Sequence, residues 1–232
     1  MKVQRRSGLR YAAVDPAEHL ANTDLFSSLD EVELHRIAAA SYSRSLVRND
    51  LLFSEGDPAT EMFLVTSGRI AMARESFDGR ESVLALMEPG DLFGEMPLFD
   101  HEARSADARA LEASEVVAVP YTVVLELYTD HPELLWRVVA LLSNRLRSMD
   151  DALADAMFLD VPGRTAKRVL ELSGGKERFS LPVTQEELAG MVGASRERVN
   201  KALSSFIRLG WLEHHDSEYI VSNRDALTLR SR

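Results

Sequence analysis

The stretch of residues 131–158 places the tightest limit on the fold of this chain, because it contains no glycine and a single proline, Pro132, near its start. Its apolar residues recur at alternating intervals of 4 and 3 positions, at Leu135, Val139, Leu142, Leu146, Met149, Leu153 and Ala156. This spacing is the a/d repeat of a coiled coil. A helix of this length beside a compact domain is expected to pair with its own copy, which predicts a homodimer with two-fold symmetry. An amphipathic helix packed on a single core is the alternative.

The segment before this helix has a different pattern, of short apolar runs bounded by turn residues. The runs are residues 51–53, 62–65, 70–72, 83–86 and 116–119, and the turn signals between them are residues 56–58, 67–68, 78–79 and 89–91. Regularly spaced short strands with glycine turns predict a β-sandwich or barrel. An N-cap at Asp30 predicts one helix ahead of the strands.

The segment after the long helix predicts a helix-turn-helix over residues 184–203. Residues 184–187 read Thr-Gln-Glu-Glu, a capping box in which Thr184 and Glu187 each satisfy a free amide at the start of a helix. Gly193 then provides a tight turn, and Ser195 is expected to cap a second helix that ends at Gly210. Residues 211–221 look like a β-hairpin wing. In such a unit the start of the second helix enters the major groove of DNA.

The start of that second helix carries the residue types that read base edges. Arg196, Glu197 and Arg198 follow Ser195, and Lys201 comes one turn later. An arginine can donate two hydrogen bonds to guanine, and a glutamate can accept one from cytosine. A purely structural helical hairpin with solvated charges is the alternative to a DNA-binding unit.

The net charge of −10 is unevenly divided along the chain. Residues 161–232 hold twelve Lys and Arg against nine Asp and Glu, whereas the remainder holds fifteen against twenty-eight. The imbalance suggests that only the C-terminal end approaches a polyanion. The absence of cysteine excludes disulfides and thiolate chemistry. No membrane span or secretion signal is predicted, so the chain is expected in the cytoplasm, with residues 1–15 as a flexible tail.

No enzyme, cofactor or metal site is predicted. Glu95, Asp150 and Asp151 are acidic, but no nucleophile, metal cluster or phosphate loop accompanies them. His214 and His215 are neighbours that point to opposite sides of a strand, which favours solvated histidines over metal ligands.

Two motifs resemble one known family. Residues 183–203 read Val-Thr-Gln-Glu-Glu-Leu-Ala-Gly-Met-Val-Gly-Ala-Ser-Arg-Glu-Arg-Val-Asn-Lys-Ala-Leu and resemble the helix-turn-helix of the Crp/Fnr (catabolite activator) family, cAMP-receptor-like branch. Residues 158–164, Phe-Leu-Asp-Val-Pro-Gly-Arg, resemble its hinge. The resemblance implies an α+β fold with three parts. They are a cyclic-nucleotide-binding, jelly-roll-like β-roll (16–130), a dimerisation helix (131–159) and a winged helix-turn-helix (160–232).

The same resemblance implies roles at the DNA-reading end. Arg196 and Glu197 would read bases, while Thr184, Ser195 and Arg198 would contact phosphates, with Gln185 in the same DNA-binding set. Lys201 stands at a base-reading position that is often Arg, and its point charge is less selective than a planar guanidinium. The implied partners are double-stranded DNA with two symmetric GTGA-like half-sites, a second copy of the chain, and RNA polymerase.

Residues 93–99 (Phe-Gly-Glu-Met-Pro-Leu-Phe) and 104–105 (Arg-Ser) resemble the family's phosphate cassette. The resemblance implies that amides after Gly94, together with Arg104 and Ser105, hold a cyclic phosphate, that Glu95 accepts a ribose hydroxyl, and that Arg145 contacts Glu95. The full candidate set for an effector, cAMP or alternatively cGMP, is Leu84, Gly94, Glu95, Met96, Arg104, Ser105, Arg145, Met149 and Asp150.

Met149 and Asp150 depart from the pattern of the family. They stand where cAMP-responsive members usually carry polar Thr, Ser or Asn against adenine. The alternative is therefore a Crp/Fnr-type regulator that binds DNA without a cyclic nucleotide or with another effector.

Overall fold

The computed structural model describes residues 16–23, 25–75 and 81–232. The predicted tail, residues 1–15, and the predicted turn at residues 78–79 lie outside these ranges. The helices are α1 (Pro16–Ala21), α2 (Glu31–Ala40), α3 (Met96–Asp100), α4 (Tyr121–Asp130), α5 (Leu135–Phe158), α6 (Val161–Leu172), α7 (Gln185–Val192), α8 (Arg196–Arg208) and α9 (Arg224–Arg230). The strands are β1 (Tyr42–Leu46), β2 (Leu51–Phe53), β3 (Glu61–Ser67), β4 (Ile70–Glu75), β5 (Glu81–Met87), β6 (Leu92–Phe93), β7 (Asp107–Ala110), β8 (Ser114–Pro120), β9 (Arg178–Ser180), β10 (Leu212–His215) and β11 (Glu218–Val221).

The N-terminal strands form two antiparallel four-stranded sheets that enclose a shared apolar core. The strand orders are β1-β8-β3-β6 and β2-β7-β4-β5. Each of the five predicted apolar runs lies within a strand, so the predicted β architecture is confirmed. The α+β fold with a β-roll followed by a long helix is confirmed as well.

Strand β3 is apolar on both faces because both of its faces are covered. Phe63 points into the space between the sheets, where its ring centroid lies 5.6 Å from those of Phe53 and Phe93. Met62 and Leu64 alternate with it and pack beneath the helices, in a cluster that includes Val124 of α4. A strand covered on both sides is expected to be a continuous apolar run, which is what its sequence shows.

The long helix α5 follows a single 3-10 turn at Pro132–Leu134 and ends at Phe158. Asp160 then caps α6 by accepting from the Gly163 amide at 2.9 Å, and Pro162 lies in the first turn as predicted. The predicted a/d positions of α5 are exposed on the single chain, Met149 to 69%. In the described part of the chain, no helix combines the length and apolarity needed to cross a membrane.

The C-terminal helices and the sheet β10-β11-β9 form a winged helix-turn-helix, as predicted. The capping box is present, with the Glu187 amide 3.2 Å from Thr184 Oγ1 and the Thr184 amide 2.7 Å from Glu187 Oε2. Gly193 ends α7 with φ at +67°, a left-handed conformation that glycine tolerates.

The prediction for Ser195 is correct for its position and wrong for its side chain. Ser195 is the N-cap residue of α8, but its hydroxyl makes no capping hydrogen bond. The residue is exposed, so water can satisfy both the hydroxyl and the first amides of α8. The hydroxyl is consequently available to a ligand.

Candidate DNA-reading face and effector pocket

The start of α8 presents charged side chains to solvent. Arg196, Glu197 and Arg198 are exposed, and none of them forms an ion pair with another residue that the structure describes. Lys201 is exposed one turn further along the helix. Because Val199 and Leu203 fix the opposite face of α8 in the core, these charged residues share the outward face.

The wing closes one side of this face. A cleft of about 570 Å³ lies between the helix-turn-helix and the hairpin. It is lined by the N-cap residue Thr184 and Gln185 of α7, by Arg196 of α8, and by His214 and Tyr219 of the hairpin. The structure therefore brings three of the predicted DNA-binding residues together with two that were not predicted to bind DNA. The sequence predicted the hairpin that contains His214 and Tyr219. A hairpin pattern alone does not show which of its side chains face α8.

A second cleft beside α8 is lined by further basic residues, two of which were predicted to bind DNA. Arg198 and Lys201 line a cleft of about 530 Å³ together with Arg208 and Arg230. Arg230 also binds the Asp160 carboxylate at 2.5 Å, so the last helix is tied to the start of α6. The pKa of Asp160 is held below its usual range by the Gly163 amide and by Arg230.

The helix-turn-helix is also attached to the β-roll through α7. An added Cβ at Gly190 would lie 3.2 Å from the Glu81 carbonyl oxygen of β5, so the two elements are in close contact. Ala71, Val83 and Leu111 of the β-roll belong to the same apolar cluster as the core of the winged domain. No sequence pattern predicts this interface, because the surfaces that meet are far apart along the chain.

The predicted phosphate cassette lies between β6 and β7. Gly94 has φ at +74°, a conformation that favours glycine. Arg104 is 5% exposed, and its Nη1 donates to the Gly94 carbonyl at 2.8 Å while Nη2 donates to the Glu61 carbonyl at 2.7 Å. Burial lowers the pKa of Arg104, yet an arginine remains a cation at neutral pH.

Glu95 is the second buried charge of the cassette, 1% exposed. Arg145 was predicted to contact it, and Arg145 Nη1 does contact Glu95 Oε1. Arg145 Nη2 also donates to the Leu92 carbonyl at 2.5 Å. The long helix is thus joined to the cassette through one guanidinium.

Two buried polar atoms in this cassette have no hydrogen-bond partner within the described residues. They are Oε2 of Glu95, an acceptor, and Nε of Arg104, a donor. Unpartnered buried groups are costly, so such atoms often mark a site that a ligand completes. An acceptor for a hydroxyl and a donor for an anion match the chemistry of a ribose and a phosphate.

The remaining candidates are less closely gathered. The Ser105 hydroxyl lies 3.9 Å from the Met96 sulfur. Leu84 lies on β5, and Met149 and Asp150 follow Arg145 by about one turn on α5, all with exposed side chains. Among the described contacts, none joins these three residues to Glu95 or Arg104.

Tyr121 belongs to the cassette although sequence reasoning missed it. Its hydroxyl donates to the Gly94 carbonyl at 2.5 Å, and Arg104 Nη1 approaches it at 3.3 Å. Burial raises the pKa of Tyr121 to about 12. In the sequence, Tyr121 is marked only by its position directly after the last apolar run of the β-roll. That position does not predict a contact with Gly94.

Comparison with known families gives two matches along the chain. Residues 43–131 match the cyclic nucleotide-binding domain, and residues 163–230 match the Crp-like helix-turn-helix domain. The first match contains the cassette, and the second contains the capping box and α8.

Similar proteins extend these matches to nearly the whole chain. A CRP-like cAMP-activated global transcriptional regulator of Mycobacterium tuberculosis is 33% identical over 222 residues, which cover 93% of this chain and 99% of the relative. The solved structure of the c-di-GMP responsive global regulator CLP of Xanthomonas campestris is 28% identical, with a TM-score of 0.72, over 83% of this chain and 99% of that chain. FixK2 of Bradyrhizobium japonicum has the same fold, with a TM-score of 0.76 at 21% identity, over 83% of this chain and 98% of that chain.

Proposed function

This chain belongs to the Crp/Fnr family of DNA-binding transcription regulators, which are not enzymes, and from that premise we propose that it is a homodimer whose DNA affinity is controlled by a cyclic nucleotide. Its parts are the β-roll (16–130), the dimerisation helix (131–159) and the winged domain (160–232). Its place of action is the cytoplasm, where bacterial DNA lies.

The observation that carries the effector proposal is the pair of unpartnered buried atoms in the cassette. Glu95 Oε2 would accept a ribose hydroxyl, and Arg104 Nε would donate to a phosphate oxygen. Charge-assisted hydrogen bonds of this kind are about twice as strong as neutral ones. cAMP is the favoured effector and cGMP the alternative, and the cAMP-activated regulator of M. tuberculosis supports this preference.

The exposed apolar stripe of α5 supports the dimer. Leu146, Met149 and Leu153 are all more than half exposed on the single chain. Exposed apolar stripes at a/d spacing are covered by a second helix in coiled coils. A two-fold dimer would present two copies of α8, which suits an operator with two inverted GTGA-like half-sites one helical turn apart.

At each half-site, the exposed residues on and around α8 would make two kinds of contact with DNA. Arg196, Glu197 and Lys201 would contact base edges, and Thr184, Gln185, Ser195 and Arg198 would contact the phosphate backbone. The exposed, unpaired state of Arg196 and Arg198 supports these roles, since no ion pair within the described chain has to be broken. RNA polymerase is the proposed protein partner once the dimer is bound.

The proposal is tested by titrating the protein with cAMP and cGMP, by isothermal calorimetry, and then measuring operator affinity with and without each nucleotide. Binding of one nucleotide together with a rise in operator affinity is expected. The control duplex carries one scrambled half-site. Operator binding that no nucleotide alters would support the alternative, a regulator that needs no cyclic nucleotide or responds to another effector such as a cyclic dinucleotide.

A further inference from the structure

The hydroxyl of Tyr121 connects two groups of the cassette, the Gly94 carbonyl and the Arg104 guanidinium. Tyr121 is the first residue of α4 and is buried. We propose that Tyr121 is a positioning residue for the effector phosphate, because it holds the Gly94 carbonyl and the Arg104 guanidinium in the geometry that leaves Arg104 Nε open. The inference rests on the proposed function, since it concerns the same nucleotide site.

The Arg104 guanidinium is held from several directions. One amino group donates to Gly94 and the other to Glu61, and the plane lies over the Phe53 ring at 4.2 Å from its centroid. These contacts leave the Nε edge without a partner among the described residues. An arginine fixed in this way loses little conformational entropy when an anion binds, which favours phosphate binding.

The Tyr121 hydroxyl adds two further contacts to this arrangement. The Gly94 carbonyl accepts from both Tyr121 and Arg104, so it does not depend on the arginine as its only donor. The pKa of Tyr121, raised to about 12 by burial, keeps its hydroxyl protonated and therefore a donor at neutral pH. Without the hydroxyl, the buried carbonyl would compete with the phosphate for Arg104, which would draw the guanidinium away from the ligand.

A second buried tyrosine on α4 provides a matched control. The Tyr128 hydroxyl is buried and has no partner among the described residues, and its ring centroid lies 6.1 Å from that of Phe99. Burial raises the pKa of Tyr128 as well. Replacing either tyrosine by phenylalanine removes one buried hydroxyl from the same helix and keeps the ring, but only at Tyr121 are hydrogen bonds to the cassette lost.

The test compares Tyr121→Phe, Tyr128→Phe and the unchanged protein by calorimetric titration with cAMP and cGMP. Tyr121→Phe is expected to weaken binding roughly tenfold, because the hydrogen bond from Arg104 and the one to the Gly94 carbonyl are both lost. Tyr128→Phe should leave affinity within about twofold. Equal affinities of the two variants would overturn the inference.

A second readout separates positioning from a general loss of stability. The ratio of affinities for cAMP and its Rp-phosphorothioate analogue reports how sharply the site distinguishes the two phosphate oxygens. Tyr121→Phe is expected to move this ratio toward one, and Tyr128→Phe to leave it unchanged. A variant that is merely less stable would keep the ratio of the unchanged protein, which would contradict a positioning role.

The outcome also separates this inference from the proposed function. If the unchanged protein binds neither nucleotide, the proposed effector is wrong and the role of Tyr121 falls with it. If it binds and Tyr121→Phe binds equally well, the inference alone is wrong. If Tyr121→Phe does not fold, hydrogen exchange of the Tyr121 hydroxyl is measured instead in the unchanged protein with cAMP bound. The hydroxyl proton is expected to stay protected from exchange with solvent, and loss of this protection would overturn the inference.

Discussion

Glu187 of α7 lies 3.0 Å from Arg48 of the β-roll, although 139 positions separate them in the chain. The same carboxylate lies 3.6 Å from Arg109 and is 6% exposed. It also accepts from the Thr184 amide at 2.7 Å, next to a predicted DNA phosphate contact. One buried side chain thus caps the first helix of the DNA-binding unit and attaches that unit to the β-roll.

Glu187→Gln is expected to loosen this attachment and leave the cap in place, because glutamine also serves at the third position of a capping box. The loss of a charged partner for two arginines should cost about 1–2 kcal/mol of stability, at the low end for charged hydrogen bonds because Arg48 is partly exposed. Hydrogen exchange should accelerate in β5 and α7. The exposed neighbour Glu186→Gln is the control, and equal exchange in both variants would contradict the proposed attachment.

The contacts of Glu187 differ in how far a sequence can predict them. The bond between Thr184 and Glu187 joins residues three positions apart, so the local capping-box pattern is enough to predict it. The ion pair between Arg48 and Glu187 depends on how two domains meet, and neither residue has a neighbour in sequence that signals it. The periodic runs of β3, β8 and α5 were predicted for the same local reason as the capping box.

The parts of the fold that sequence reasoning missed have weak or short local signals. β6 and β9 are two- and three-residue strands held by their partners, and α3 is a five-residue helix. At the candidate site, the family resemblance predicted roles for Glu95 and Arg104. It did not identify Tyr121, because a buried tyrosine after a strand is ordinary until its hydroxyl is seen against Gly94.

Gly94→Ala tests whether the cassette needs a glycine for reasons beyond its backbone angles. A Cβ at Gly94 would lie 2.6 Å from Arg104 Nη1, whereas at Gly90 nothing lies within 4 Å. Both residues have positive φ, so both alanine variants should lose about 1 kcal/mol of stability from backbone strain. Only Gly94→Ala is expected to displace Arg104 and to weaken cAMP binding by roughly tenfold or more. Equal nucleotide affinity in the two variants would argue against close packing of Arg104 on Gly94.

Leu146→Glu tests the proposed dimer seam. Leu146 is 60% exposed on the single chain and belongs to the a/d stripe of α5, so a charge there would face its own copy in a dimer. The variant is expected to have half the mass of the unchanged protein in light scattering and to lose most of its operator affinity. Val32→Glu, at an exposed apolar position on α2, should remain dimeric. A dimeric Leu146→Glu would place the interface elsewhere.

His131 introduces a pH dependence of stability at the junction of α2, α4 and α5. Its Nδ1 lies 3.2 Å from Glu133 and its Nε2 contacts Glu33, and the hydrogen bond with Glu133 is the main cause that raises its pKa above 6.5. A raised folded-state pKa means that this stabilisation is fully present below about pH 6.5 and is lost as pH rises through the raised value.

Melting temperatures of His131→Gln and the unchanged protein should therefore differ more at pH 6 than at pH 9. His35→Gln on α2 is the control for loss of an exposed histidine. A difference for His131→Gln that stays constant across this range would show that the imidazolium charge contributes nothing at the junction.

Arg196 and Arg198 are two positions apart on α8 and are both exposed, but the proposed roles give their variants different signatures. Arg196→Ala is expected to lose about 1–3 kcal/mol of operator binding and to relax the preference at one base pair, because a guanidinium that donates to guanine is removed. Arg198→Ala should weaken all duplexes about equally and reduce the slope of log affinity against log salt by about one, because a phosphate contact is lost.

Both variants are measured by fluorescence anisotropy on the symmetric operator, on single-base substitutions of each half-site, and over a range of salt concentrations. The unpaired state of both arginines means that neither substitution breaks an ion pair within the described chain, so differences in affinity report the DNA contact itself. Arg196→Ala with an unchanged base preference would remove α8 from direct base reading. Val199 and Leu203, which hold α8 against the core, would then orient a helix that contacts only the phosphate backbone of the DNA.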